Sequence, residues 1–383
     1  MKLYNTLTRK VETFTPYDKN NVKLYVCGIT PYDTTHLGHA FTYTTFDILY
    51  RFLEWKKYKI NYTQNVTDID DDILKRAKKV GEDWKKLGEF WTNKYTTDMK
   101  SLHNTPPTHY VKATETIPTI IELIAKLVAD DYAYEKNGNV YFDVTRDPEY
   151  GKLSKYSRDQ MIQLSTERGA DPNDPNKKDP LDFIMWQKSK EDEPSWDSPW
   201  GKGRPGWHIE CSAMAYKYLD KKIDIHGGGS DLRYPHHESE IAQSEAFTDE
   251  KPFSQFWMHT GTVMYDGEKM SKSLGNLVLV SDLLKTYTPN AIRYLLLLHH
   301  YRKPWEYYQE ELDQAQKTIK SIENKLKSLP ESSDEGTKLL EKFSAAMEND
   351  LDTPHSLEIL NEALENREAN ATKKMMKVLG FTL

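Results

Sequence analysis

A chain of 383 residues, 29 % of them charged and 38 % hydrophobic, is long enough for two or three domains with substantial cores. Its net charge of −7 argues against non-specific coating of nucleic acid and leaves room for an RNA held on a local basic face. No segment approaches the roughly 20 apolar residues of a membrane span, MKLYNTLTRK has no signal-peptide core, and there are only two cysteines. A protein of the reducing cytoplasm, without membrane contact, is expected.

Residues 22–30, VKLYVCGIT, read as a short buried strand. From Thr35 and His36 a helix follows, with Phe46, Leu49 and Leu53 in one apolar row and Phe41, Ile48 and Phe52 in another. KINYTQNV returns to a strand near Val66 and Thr67. This β-α-β unit predicts a parallel sheet with a right-handed crossover. Residues 69–135 read as mostly helical and charged, broken at Thr105-Pro106-Pro107, and GNVYFDV at 138–144 reads as a strand. Residues 168–206 are rich in Pro, Asp, Gly and Trp and read as ordered loop at the edge of an insert. The sheet resumes with KIDIHGGG, and PFSQFWMHTGTVMYDGEKMSKSLGN reads as strand, turn and mobile loop. From about residue 279 the pattern is helical to the end. Ile319, Ile322 and Leu326 share a face there, and residues 301–383 carry 16 acids against 12 bases, a mildly acidic bundle.

Three short motifs point to nucleotide chemistry. HLGH sets His36 and His39 three apart at a helix start, with Gly38 between them. Helix N-termini attract anions, and paired imidazoles can donate to a phosphoryl group. KMSKS carries Lys269 and Lys272 in a loop, mobile point charges suited to a departing pyrophosphate. HGGGSDL follows a strand: Gly228 and Gly229 allow close backbone approach, and Asp231 can hold a ribose diol. Each has a plain alternative in a helix cap, a solvated basic loop or a tight turn, and it is their combination that carries weight.

The two cysteines are far apart, Cys27 closing an apolar run and Cys211 in WHIECSAM. PHHESE follows, so one metal ion could gather both thiols with an imidazole and a carboxylate, a donor set that suits Zn²⁺. His236 and Glu240 are four apart, one helical turn, and His237 and Glu238 are rivals for the same ion.

Together CGITPYD, HLGH, NVTDIDD, GRPGWHIECSAM, DIHGGGSDLRYPHHESEIAQSE and HTGTVMYDGEKMSKSLGN closely resemble the cysteinyl-tRNA synthetases, a class I aminoacyl-tRNA synthetase family, in order from Leu3 to about Gly380. The resemblance implies one zinc held by Cys27, Cys211, His236 and Glu240. It implies cysteine bound against Cys27, Thr67, Trp207 and His236, and ATP with Mg²⁺ bound by His36, Gly38, His39, Gly228, Gly229, Asp231 and Lys272. His36, His39, Lys269 and Lys272 would be catalytic. The expected reaction activates L-cysteine as its adenylate, releases pyrophosphate and transfers cysteine to the 3′ end of its tRNA. A thiolate binding zinc is a chemical test against serine that shape alone, worth about 1–3 kcal/mol, cannot match.

The expected architecture is a Rossmann-like catalytic domain at 1–115 and 202–262, split by a connective insert at 116–201. A KMSKS and stem-contact segment at 263–304 and an α-helical tRNA-binding domain at 305–383 follow. A monomer is expected. Family members usually continue into an anticodon-reading domain, whereas this sequence stops at Leu383. The expectation is therefore weak anticodon reading, with tRNA held at the acceptor stem and by basic residues such as Lys373, Lys374 and Lys377. Two other readings share the motifs: a ligase joining cysteine to an amino-sugar, and a non-catalytic RNA-binding paralogue.

Overall fold

The computed structural model describes residues 1–270, 274–329 and 336–382. The chain opens with a hairpin, β1 (Lys2–Asn5) and β2 (Lys10–Thr13), too short to leave a periodic signal. The expected β-α-β unit follows as β3 (Asn21–Ile29), α1 (Leu37–Trp55) and β4 (Lys59–Val66), with β3 and β4 parallel. All six predicted apolar positions of α1 are buried.

Residues 69–135 are mostly helical, as expected, but also contribute a strand to the parallel sheet. After α2 (Asp71–Val80) and α3 (Trp84–Ser101) comes β5 (His109–Lys112), which pairs parallel with β4. Four residues, HYVK, carry too little alternation to declare a strand; the vacant edge of β4 makes them one. Next come α4 (Ile117–Ala129), β6 (Ala133–Lys136) and β7 (Asn139–Phe142).

The stretch read as loop is also partly regular. After α5 (Arg158–Glu167), β8 (Phe183–Lys188) and β9 (Gly203–Pro205) complete a four-stranded antiparallel sheet in the order β6-β7-β8-β9. Its apolar face, with Val140, Phe142, Met185 and Trp186, packs on Ile120, Ile124 and Leu127 of α4 as a separate core. The Pro- and Asp-rich composition belongs to the connection between α5 and β8, while hydrophobic burial makes the strands.

The parallel sheet then resumes through α6 (Trp207–Leu219), β10 (Ile223–Gly229), α7 (Glu238–Thr248) and β11 (Ser254–Thr260). Its order is β11-β10-β3-β4-β5, all parallel. The chain moves outward from β3 to β5 and returns to β3's other side with β10. The strand order therefore reverses between β3 and β10, which opens a crevice at their carboxyl ends. Gly227 lets α1 close on this sheet: a Cβ there would lie 2.1 Å from the Phe46 ring.

β12 (Val263–Tyr265) pairs antiparallel with β13 (Glu268–Lys269), and α8 (Val280–Leu283) and α9 (Pro289–Leu297) follow. The helical expectation beyond 279 is interrupted by β14 (Trp305–Glu306), parallel to β12. The chain ends in α10 (Gln309–Ser328), α11 (Thr337–Glu348), α12 (Thr353–Glu365) and α13 (Ala369–Val378). Ile319, Ile322 and Leu326 form the buried face of α10.

Arg293 of α9 ties these helices to α1. Fully buried, it pairs with Asp47 and donates to Leu379 O at 2.6 Å, Leu102 O at 3.0 Å and Asn104 Oδ1 at 2.8 Å. Among the described residues no helix is long and apolar enough to cross a membrane.

Candidate active site

A cleft of about 920 Å³ opens where the strand order reverses. Cys27 reaches it through an irregularity in β3, whose register with β4 shifts between Val26 and Ile29. Such a bulge re-aims a side chain. Gly28 is obligatory there, since a Cβ would fall 1.7 Å from Asn65 O, and its N–H donates to Asn65 Oδ1 at 2.7 Å. Asn65 in turn donates to Thr67 Oγ1 at 3.2 Å, and Thr67 lines the cleft.

The predicted ligand residues come together. The donor atoms of Cys27, Cys211, His236 and Glu240 lie within 4.8 Å of one another, all buried. Cys27 Sγ is 3.9 Å from Cys211 Sγ and 3.6 Å from Glu240 Oε1, and His236 Nε2 is 3.1 Å from the same oxygen. The i,i+4 spacing works although His236 precedes α7, in a wide turn over Arg233–His237 that Tyr234 breaks. Cys27 and His236 face the cleft, whereas Cys211 and Glu240 lie behind its lining.

A second set overlaps the first: Cys27, His226, His237 and Glu240 also lie within 4.8 Å of one another. His237 Nε2 is 3.3 Å from Cys27 Sγ and its Nδ1 is 2.8 Å from His259 Nε2; His259 Nδ1 reaches Thr6 Oγ1 at 2.9 Å. His226 Nε2 is 2.9 Å from Glu240 Oε2. His208 Nδ1 is 3.0 Å from His236 Nδ1, and the Trp207 ring stacks on His236 at 4.3 Å. Sequence reasoning passed over His208, His226 and His259. His208 follows Trp207, His226 lies mid-strand in β10 and His259 near the end of β11, positions that carry no motif of their own.

Burial pushes both thiols and the Glu240 carboxyl above their ordinary ranges. It also drives His208 and His226 down to about 3, and His236 and His237 well down. Thiolates and a carboxylate in so dry a place call for a compensating cation. Two sulfurs, one nitrogen and one oxygen match zinc, and the residues present fit it.

The phosphate motifs line the same cleft. His36 is the N-cap of α1, its ring accepting from Gly38 N at 3.1 Å, and His39 Nδ1 lies 3.4 Å from His36 N. The two rings are 3.9 Å apart. Gly38 lines the cleft between them, and a Cβ on it would lie 2.8 Å from the His36 ring.

Gly229 and Asp231 line the cleft, while Gly228 is not in its lining, and a Cβ there would lie 3.0 Å from Leu232 Cδ1 and 3.1 Å from the His237 ring. Lys269 Nζ is 2.9 Å from Asp231 Oδ2, and Arg168 Nη2 is 3.2 Å away, an approach from the insert that the sequence did not suggest. Desolvation pushes the Asp231 carboxyl up, but the Lys269 ammonium and then the Arg168 guanidinium outweigh it and hold it at about 2. Lys272 lies outside the described residues.

Residues 13–317 match the family model for the tRNA synthetases class I (C) catalytic domain. Curated relatives include a cysteine–tRNA ligase of Thermococcus onnurineus, 47% identical over 329 residues, 86% of this chain and 68% of the relative. Another, from Thermodesulfovibrio yellowstonii, is 45% identical over 95% of this chain and 78% of its own. Among solved structures, Mycobacterium tuberculosis methionyl-tRNA synthetase with methionyl-adenylate superposes with a TM-score of 0.65 at 14% identity, covering 94% of this chain and 89% of that one. At that identity the likeness speaks for the fold alone.

Proposed function

The chain belongs to the class I tRNA synthetases of the cysteine type, and from that premise we propose how its cleft divides the reaction among its residues. The activity is cysteine–tRNA ligation: L-cysteine and ATP give cysteinyl-adenylate and pyrophosphate, and cysteine then passes to the 3′ end of tRNA. One observation carries the assignment of roles. Two thiols, an imidazole and a carboxylate converge at the wall of a cleft that also holds His36, His39, Asp231 and Lys269.

Cys27, Cys211, His236 and Glu240 hold one zinc ion, with His226 and His237 supporting Glu240 and Cys27 from behind. Bound zinc favours a thiolate over a hydroxyl and so separates cysteine from serine without an editing step. Thr67 and Trp207 border the amino acid, and Trp207 fixes the plane of the His236 ring by stacking on it. The cysteine carboxylate attacks the α-phosphate of ATP. His36, His39 and the positive end of the α1 dipole stabilise charge on the phosphates. Mg²⁺ enters with ATP. Asp231 and Gly229 bind the nucleoside side, and Lys269 with Lys272 draws charge toward the departing pyrophosphate. The chemistry is positioning and charge stabilisation.

We read the chain as a catalytic sheet in two halves, 1–115 and 202–262, an insert at 116–201, a connecting segment at 263–304 and a helical tRNA-binding unit at 305–383. Lys373, Lys374 and Lys377, exposed on α13, offer the last of these basic contacts. The protein acts in the cytoplasm as a monomer. The test is cysteine-dependent exchange of pyrophosphate into ATP, followed by addition of tRNA or of an amino-sugar. Exchange with charging of tRNA supports the scheme; exchange with transfer only to the amino-sugar overturns its second half.

A further inference from the structure

The strongest local departure from this chain's negative charge is the turn joining α2 to α3. Residues 75–86 hold six bases, Lys75, Arg76, Lys78, Lys79, Lys85 and Lys86, against two acids, Glu82 and Asp83. All of these lysines are exposed. Lys78 pairs with Asp192 at 3.2 Å, whereas among the described residues Lys75, Lys79 and Lys86 have no ion-pair partner.

Helix electrostatics explain only part of this. Lys78 and Lys79 lie in the last turn of α2, where the macrodipole favours cations. Lys85 and Lys86 lie in the first turn of α3, where it disfavours them. Lys75, Lys78 and Lys79 also share one helix face at i, i+3 and i+4, where like charges repel. Such a surface is costly to the fold and complementary to an extended anion. One turn beyond Lys86, on the same face, the Phe90 side chain is 60 % exposed. An exposed ring among lysines is a stacking platform for an unpaired base.

The hairpin adjoins the cleft. Gly88 of α3 faces Pro31, a Cβ there lying 3.9 Å from Pro31 Cγ. Pro31 sits between cleft residues Thr30 and Tyr32. Asp70, the N-cap of α2, follows Thr67 by three residues. The ten residues of α2 run about 15 Å, the length of about four phosphates of one strand.

We propose that the α2–α3 hairpin is a docking surface for the acceptor end of tRNA, with Lys75, Lys79 and Lys86 on its phosphates and Phe90 beneath an unpaired base. This surface is distinct from α13, and the inference rests on the tRNA-ligase reading above.

The test is the full chain carrying Lys75→Gln, Lys79→Gln and Lys86→Gln together, since Gln keeps helix propensity, with Phe90→Ala made separately. Cysteine-dependent pyrophosphate exchange should stay within about twofold of the unsubstituted protein. The KM for tRNA should rise about tenfold or more, and the slope of log affinity against log salt should fall by about 2–3. Phe90→Ala should weaken tRNA binding while leaving that slope unchanged. An unaltered KM and slope in the triple variant would overturn the proposal, as would equal loss of exchange and charging. Absence of cysteine-dependent exchange in the unsubstituted protein would instead sink the ligase reading; direct binding of tRNA to both proteins still decides the docking surface.

Discussion

His226 Nε2 lies 2.9 Å from Glu240 Oε2. The other oxygen of that carboxylate faces His236 at 3.1 Å and Cys27 at 3.6 Å. Glu240 is thus oriented from behind by an imidazole that is itself stacked on Trp257 at 4.3 Å. A residue that aims a ligand in this way usually changes metal affinity about 10–100-fold when lost. His226→Phe keeps a ring for the stack and removes the hydrogen bond, so zinc should be released to a chelator at correspondingly lower chelator concentration. Release matching the unsubstituted protein would leave His226 with a packing role only. Cys211→Ser, by contrast, should lower zinc content outright and raise the KM for cysteine more than that for ATP.

His36 has two separable jobs. As N-cap of α1 it accepts from Gly38 N, and loss of a cap costs about 1 kcal/mol. His36→Ala should show that loss in urea unfolding and also slow adenylate formation. Asparagine is a strong N-cap with no imidazole, so His36→Asn should recover the stability and not the rate. Recovery of both would mean that the ring acts only through the helix.

Asp231 sets a pH dependence. Its carboxyl is held at about 2 by Lys269 and Arg168 against the pull of desolvation, below the ordinary value near 3.9. A depressed carboxylate contributes stability above its unfolded pKa, and that contribution fades as pH falls from about 4 to about 2. The thermal midpoint of Asp231→Asn should therefore lie below that of the unsubstituted protein at pH 5, and the two should converge toward pH 2. A gap that stays constant across that range would contradict the ion pair.

Arg293 and Asp47 predict a large stability effect away from the cleft. Both are buried, and burial alone would push the Asp47 carboxyl up; Arg293 and then Arg51 reverse that and hold it down. Arg293→Met would leave the buried Asp47 carboxylate with Arg51 as its one remaining cation, at a cost of up to about 3–5 kcal/mol. Gly380→Ala attacks the same place, since its Cβ would sit 2.2 Å from Arg293 Nη2 at a positive φ of 73°. Both variants should unfold at clearly lower denaturant concentration. An Arg293→Met midpoint within error of the unsubstituted protein would mean that the buried pair contributes nothing.

The periodicities of the chain were enough to place β3, α1, β4 and β10, because a buried strand and an amphipathic helix must each repeat apolar residues at their own spacing. The phosphate motifs were legible for a similar reason: HLGH and HGGGSDL act through backbone and neighbouring side chains over a few residues. Other features depended on partners distant in sequence. HYVK becomes a strand because β4 has an open edge, and β8 and β9 emerge from a loop-like composition because α4 needs an apolar face against it. Cys27 and Cys211 stand 184 residues apart, and resemblance to a family, rather than spacing, paired them with His236 and Glu240. His208, His226, His259 and the Arg168 contact to Asp231 left no mark in the order of residues. Only the reversal of strand order between β3 and β10 brings those groups to one crevice, because a sheet turns distant segments into neighbours at fixed spacing while local sequence governs only what each segment is.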